Sequence, residues 1–118
     1  MFSLDGEVVK NGVGTHSSGN HAQALSRAAK LRKIPAYIVM PENAPQVKVD
    51  AVNNYDGIIT FCKPTLQARE ETLAEVIEKT GAIEVHPYDK YKVIEGQATC
   101  GKELFESVAD LYLILCPV

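Results

Sequence analysis

Ser17, Ser18, Gly19, Asn20 and His21 bring two hydroxyls, a carboxamide and an imidazole into five consecutive residues around one permissive glycine. Short oxygen-bearing side chains suit a turn and the start of a helix, where backbone N–H groups lack intrahelical partners. Those N–H groups, with the positive end of the helix dipole, form a seat for an anion such as a carboxylate or phosphate. Ser18 and His21 then set a hydroxyl and an imidazole beside that seat. Taken alone, such a string is most often a plain strand-to-helix turn.

The elements that must position this stretch alternate along the chain. Residues 1–12 are polar and Gly-containing without a visible period, and are expected to be a mobile lead-in segment. Residues 13–16 predict a strand, and from residue 20 to about 32 Ala24, Leu25, Ala28 and Leu31 recur at helical spacing. Residues 36–40 are a continuous apolar run stopped by Pro41, as in a strand covered on both faces. Asn43 and Pro45 announce a second helix, with Val47, Ala51 and Val52 inward and Lys48 and Asp50 outward. Residues 57–61 predict a third strand. Thr65 suits an N-cap for a third helix with the stripe Leu66, Leu73, Val76 and Ile77, ended by Gly81. Residues 83–85 predict a fourth strand and 86–91 a loop. A fourth helix over about 97–108 uses Leu104, Phe105 and Val108, and residues 111–115 predict a last strand.

Short connections between alternating strands and helices predict one α/β domain over residues 13–118. Its form is a three-layer open parallel sheet of four to five strands with helices on both faces. Such sheets bind ligands beyond the carboxyl ends of their strands, where residues 17–20 fall. The chain of 118 residues suffices to bury roughly two-thirds of its unfolded surface. A net charge of −3 leaves no basic footprint for nucleic acid, and no apolar run approaches the ~20 residues of a membrane span. The start Met1-Phe2-Ser3-Leu4 lacks the pattern of a signal peptide. Cys62, Cys100 and Cys116 show no C-x-x-C spacing, so reduced thiols in the cytoplasm are expected, with Cys100 and Cys116 in the core. His16, His21 and His86 do not space as metal ligands; structural or loop hydrogen-bonding roles are expected for them, and no metal.

The run from Thr15 to Ala24, T-H-S-S-G-N-H-A-Q-A, resembles the substrate-binding loop of the fold-type II pyridoxal-phosphate enzymes, above all serine racemases and serine/threonine dehydratases. The resemblance continues through Ala28-Ala29-Lys30-Leu31, Ile34-Pro35-Ala36-Tyr37-Ile38-Val39-Met40-Pro41, Asn43-Ala44-Pro45, Lys48-Val49-Asp50, Arg69-Glu70, His86-Pro87 and Gly96-Gln97-Ala98-Thr99. It covers nearly the whole chain. Ser18 matches the racemases, where bacterial-type threonine deaminases carry alanine.

The resemblance implies a role for each matched residue. Ser18 would exchange a proton at the substrate α-carbon. Asn20 would hydrogen-bond the ring oxygen of pyridoxal phosphate. Ser17, with the amides near Asn20 and His21, would hold the substrate carboxylate, and Arg69 would swing in to pair with it. Without the match, Arg69 reads as a solvated helix residue pairing with glutamates. Gln23 and Tyr55 match residues that contact a nucleotide effector in some racemases, although Tyr88 stands where that pattern has asparagine. Asp56 replaces the glycine usual after the matching tyrosine.

The same resemblance requires a lysine in an S-F-K-like motif upstream of the loop, to anchor the cofactor. The one lysine before Thr15 is Lys10, in the unlike context Val-Val-Lys-Asn. The family's glycine-rich phosphate loop would come after Val118. The expectation is therefore a small, substrate-closing domain whose catalytic large domain is absent, holding no pyridoxal phosphate and turning over no serine by itself. Its apolar interface with that large domain would drive self-association. The alternative is a stand-alone, non-catalytic α/β module for binding or self-assembly.

Overall fold

The computed structural model describes residues 1–115. The chain forms two compact units, Met1–Pro87 and a second that begins at Tyr88. The first holds a four-stranded, fully parallel sheet built from β1 (Val13–His16), β2 (Ala36–Pro41), β3 (Ile58–Cys62) and β4 (Ile83–Glu84) in the order β3-β2-β1-β4. β1, β2 and β3 are each followed by a crossover helix: α1 (Asn20–Arg32), α2 (Gln46–Asn54) and α3 (Leu66–Thr80).

Two cores sandwich the sheet. On one face Val13, Ile38 and Met40 meet Ala22, Leu25 and Ala29 of α1 and Val49 and Val52 of α2. On the other, Val39 and Cys62 meet Leu73 of α3, with Val76 and Ile77 beside it. The alternation of Ile38, Val39 and Met40 between the two cores is the period of two that a doubly covered strand requires. These are the three layers read from the sequence.

Register explains where the stripes fall. Helix α1 buries Ala22, Leu25, Ser26 and Ala29, an i, i+3, i+4, i+7 set, rather than Ala24 and Leu31; Leu31 is 67% exposed. Ser26 disguised this face: its Oγ donates to the Ala22 carbonyl at 2.8 Å, which lets a hydroxyl be fully buried. Helix α2 buries Val49 and Val52 and leaves Val47 73% exposed. Lys48 is half-buried, not outward. Helix α3 begins at the expected cap, Thr65 Oγ1 accepting from the Ala68 amide at 3.2 Å, and ends on Gly81 at φ 70°; Leu66 is exposed. Residues 1–12 form turns, with Val9 buried in the first core and the Arg32 guanidinium donating to the Met1 carbonyl at 2.8 Å.

The second unit departs further from expectation. Its helix α4 (Tyr91–Ser107) starts six residues earlier than the spacing suggested, inside the expected loop. Residues 111–115 form no strand. Leu104, Phe105 and Val108 are exposed rather than buried, and so is the thiol of Cys100. Cys116 lies outside the described residues.

Candidate functional site

Chain order places the site. From β1 the chain steps outward through α1, β2, α2 and β3, then returns under α3 to lay β4 on the opposite side of β1. The carboxyl ends of β1 and β4 are thus a topological switch point, where the loops diverge and leave a crevice. Residues 17–21 and 85–86 lie at this point.

The ladder continues one residue beyond β1, as the Ser17 amide donates to the Val39 carbonyl at 3.0 Å. Ser17 Oγ then accepts from the Gly19 amide at 3.3 Å, closing a short turn. Gly19 is the N-cap of α1 and supplies no side-chain cap, and the helix has no acidic residue in its first turn. The first helical bond runs from the Gln23 amide to the Gly19 carbonyl at 3.2 Å, so the amides of Asn20, His21 and Ala22 face outward ahead of it. An uncapped, acid-free N-terminus is electrostatically ready for an anion. Ser17 and Ser18 are half-buried and Asn20 is exposed. His21 Nε2 hydrogen-bonds the Val85 carbonyl at 3.1 Å, which ties the start of α1 to the end of β4.

The α3 side of the crevice is polar. His16 and His86 meet edge to face, ring centroids 6.1 Å apart, in a cavity of about 260 Å³ shared with Glu70, Leu73, Ala74, Ile77 and Glu84. Burial pulls the His16 pKa below its ordinary value, with help from His86 and Arg69 and against Glu70 and Glu84. Burial likewise lowers that of His21, with help from His86 and against the bond to Val85. Burial raises that of Cys62, with Glu42 adding and Arg69 opposing. Arg69 lies in the first part of α3. It is half-buried, makes no ion pair with its glutamate neighbours among the described residues, and its Nε is buried without a hydrogen-bond partner.

One group from α2, in the Lys48-Val49-Asp50 stretch that shares the resemblance, meets the loop. The Lys48 ammonium lies 2.8 Å from the point that a Cβ on Gly19 would occupy, with its Cδ and Cε at 3.4 Å. Only a glycine lets the lysine lie there, and a lysine in a helix's first turn ordinarily reads as a solvated surface residue. Of the remaining candidates, Gln23 sits half-buried on α1 and Tyr55 caps α2, with its amide bonded to the Val52 carbonyl at 3.1 Å. Asp56 adopts φ 60° and pairs with Lys30 at 2.9 Å, so the turn keeps its left-handed form without glycine. Among the described residues, no three His, Cys, Asp or Glu side chains are grouped as a metal would need. No described helix is long and apolar enough to cross a membrane.

A family model described as pyridoxal-phosphate dependent enzyme matches residues 6–118. The chain belongs to this family. Over all 118 residues it is 52% identical to a β-hydroxyaspartate dehydratase of Paracoccus denitrificans and 48% identical to a serine racemase of Dictyostelium discoideum. It spans 38% and 36% of those two proteins. The structure of maize serine racemase superposes with a TM-score of 0.87 at 49% identity, covering 92% of this chain and 33% of that one. The chain is thus similar to about a third of a serine-racemase-like pyridoxal-phosphate enzyme. The expected fold and family stand confirmed.

Proposed function

We propose that this chain is the substrate-holding part of a pyridoxal-phosphate enzyme of the serine racemase/dehydratase type, acting on β-hydroxy amino acids. The names of its relatives, a serine racemase and a β-hydroxyaspartate dehydratase, support that substrate class. The observation that carries the reading is the uncapped, acid-free start of α1 at the switch point, and the buried Arg69 Nε without a hydrogen-bond partner adds to it.

These residues fit the cofactor and substrate of the family. When bound, pyridoxal phosphate supplies an electron sink for the pair left at the substrate α-carbon. Asn20, exposed at the first turn, donates a hydrogen bond to the cofactor's ring oxygen. Ser17 and the amides of Asn20 and His21 hold the substrate carboxylate, and Arg69 closes on it with a fork that a carboxylate satisfies fully. Ser18 Oγ delivers or removes the proton at the α-carbon; its half-buried position limits competition from water. Gln23 and Tyr55 are the residues that would meet a nucleotide effector.

Alone, the chain holds these ligands weakly. A helix N-terminus offers an anion about 0.3–1 kcal/mol, up to ~2 when sheltered, whereas millimolar affinity needs about −4 kcal/mol. Lys10, the lysine preceding the loop, pairs with Glu7 beside Gly12, whose carbonyl accepts from Ile83 at the amino end of the strands. It is therefore at the wrong edge of the sheet to anchor the cofactor, and catalysis needs a lysine from elsewhere. Exposed Ile58 and Phe61 on the edge strand β3 favour self-association, and the free thiols of Cys62 and Cys100 fit a reducing cytoplasm. Titrating L-serine into the isotope-labelled chain tests the site. Amide shifts concentrated at residues 17–22 are expected; shifts confined to the opposite edge, at Gly12 and Lys33, would refute it.

A further inference from the structure

We propose that the outer edge of β3 is a docking surface for a second copy of this chain, paired antiparallel about Thr60 so that two four-stranded sheets become one. This gives the self-association expected above a surface and a register, and it does not depend on the substrate reading. The two edges of the sheet differ in kind. At one, β4 is two residues long and carries Glu84, the short, charged form that keeps an edge from pairing. At the other, β3 runs Ile58-Ile59-Thr60-Phe61-Cys62 without a charge, a proline or a glycine, and Ile58 and Phe61 are half-exposed. Lysine and proline come only after the strand, at Lys63 and Pro64.

The hydrogen bonds fix which groups this edge offers. The Cys62 carbonyl accepts from the Glu42 amide at 2.9 Å, so Cys62 turns its backbone groups toward β2. Alternation along the strand turns those of Ile58 and Thr60 the same way and those of Ile59 and Phe61 outward. Among the described residues, no further strand or turn takes the Ile59 and Phe61 groups. With Thr60 on a two-fold axis, Ile59 of each copy faces Phe61 of the other, and each such pair exchanges both its N–H···O bonds. The same register lays the exposed Phe61 ring against a branched Ile59 side chain. It also brings Lys63 of one copy beside Gly57 and Asp56 of the other, whereas parallel pairing would set like charges together. The contact is small against the ~800 Å² per partner of a stable dimer, since a half-exposed Phe61 brings roughly 100 Å². A weak dimer follows, half-formed at roughly 0.1–1 mM.

Sedimentation equilibrium and amide hydrogen exchange of the 118-residue chain, each over a range of concentrations, test this. The Ile59 and Phe61 amides should exchange more slowly as concentration rises, while those of Thr60 and Cys62, already bonded to β2, stay slow throughout. Phe61→Lys should weaken the dimer by roughly tenfold or more. Phe105→Glu, on the exposed surface of α4, should leave it unchanged. A chain that stays monomeric well above the expected range would overturn the proposal. So would association without slower exchange at Ile59 and Phe61, or a dimer abolished by Phe105→Glu and untouched by Phe61→Lys, which would put the contact on α4. If Phe61→Lys fails to fold, the exchange pattern of the unaltered chain decides by itself.

Discussion

The two faces of the sheet are built for different ends. On the α1/α2 face, small and branched side chains interlock: Ala22, Leu25, Ala29, Val49 and Val52 close over Val13, Ile38 and Met40, and the one hydroxyl in the stripe, Ser26, is satisfied. On the α3 face only Leu73 of the helix is buried, and beside it lies a cavity holding two histidines and two glutamates. Dense packing fixes β1 and hence the loop that follows it. The looser, polar face carries the Arg69 Nε without a hydrogen-bond partner, while the packed face leaves one buried hydroxyl, Thr15 Oγ1, unmet. Stability and chemistry are divided between the two faces of one sheet.

That division is open to attack by mutation. Ile38→Ala removes a fully buried side chain from the packed face and should cost about 2–5 kcal/mol in urea unfolding. Leu73→Ala borders the existing cavity, and a loss near the low end, ~2 kcal/mol, is expected. Equal losses at the two positions would erase the contrast between the faces. Thr65→Ala deletes the cap of α3 and should cost about 1 kcal/mol.

Titration gives a finer probe of the polar face. His16 and His21 both have pKa values lowered by burial, so the unfolded chain binds more protons than the folded one. Their contribution is complete above the ordinary histidine value of about 6.5 and is lost as pH falls through the lowered folded values. Unfolding midpoints should therefore drop from neutral toward mildly acid pH, and His16→Gln should blunt the drop. Smallest is Asp56→Gly. It relieves a left-handed backbone at φ 60° and loses an exposed ion pair with Lys30, so thermal unfolding should register a net change within ~1 kcal/mol.

Much of this was legible in the residues. Val13 to His16, the helix opening at Asn20, the Thr65 cap and the Gly81 stop each follow from local chemistry, and the structure places them there. The buried face of α1 was not, because a self-bonded serine hides in an apolar stripe while Leu31 advertises a face that is exposed. Residues 111–115 are apolar enough for a strand, but strand formation needs a neighbour, which local composition does not specify. Ser17, Asn20 and His21 lie together at the turn into α1, and Arg69 lies in the first part of α3. Lys48 meets that turn through a glycine contact between separate elements, which no spacing rule predicts.

The account is tested most directly by placing this chain in the matching third of the D. discoideum serine racemase and measuring D-serine formation. The chimera is predicted to racemise L-serine, with Ser18→Ala lowering the rate by roughly 10²-fold or more. Full racemase activity in the Ser18→Ala chimera, or turnover of serine by the 118-residue chain with pyridoxal phosphate alone, would contradict it.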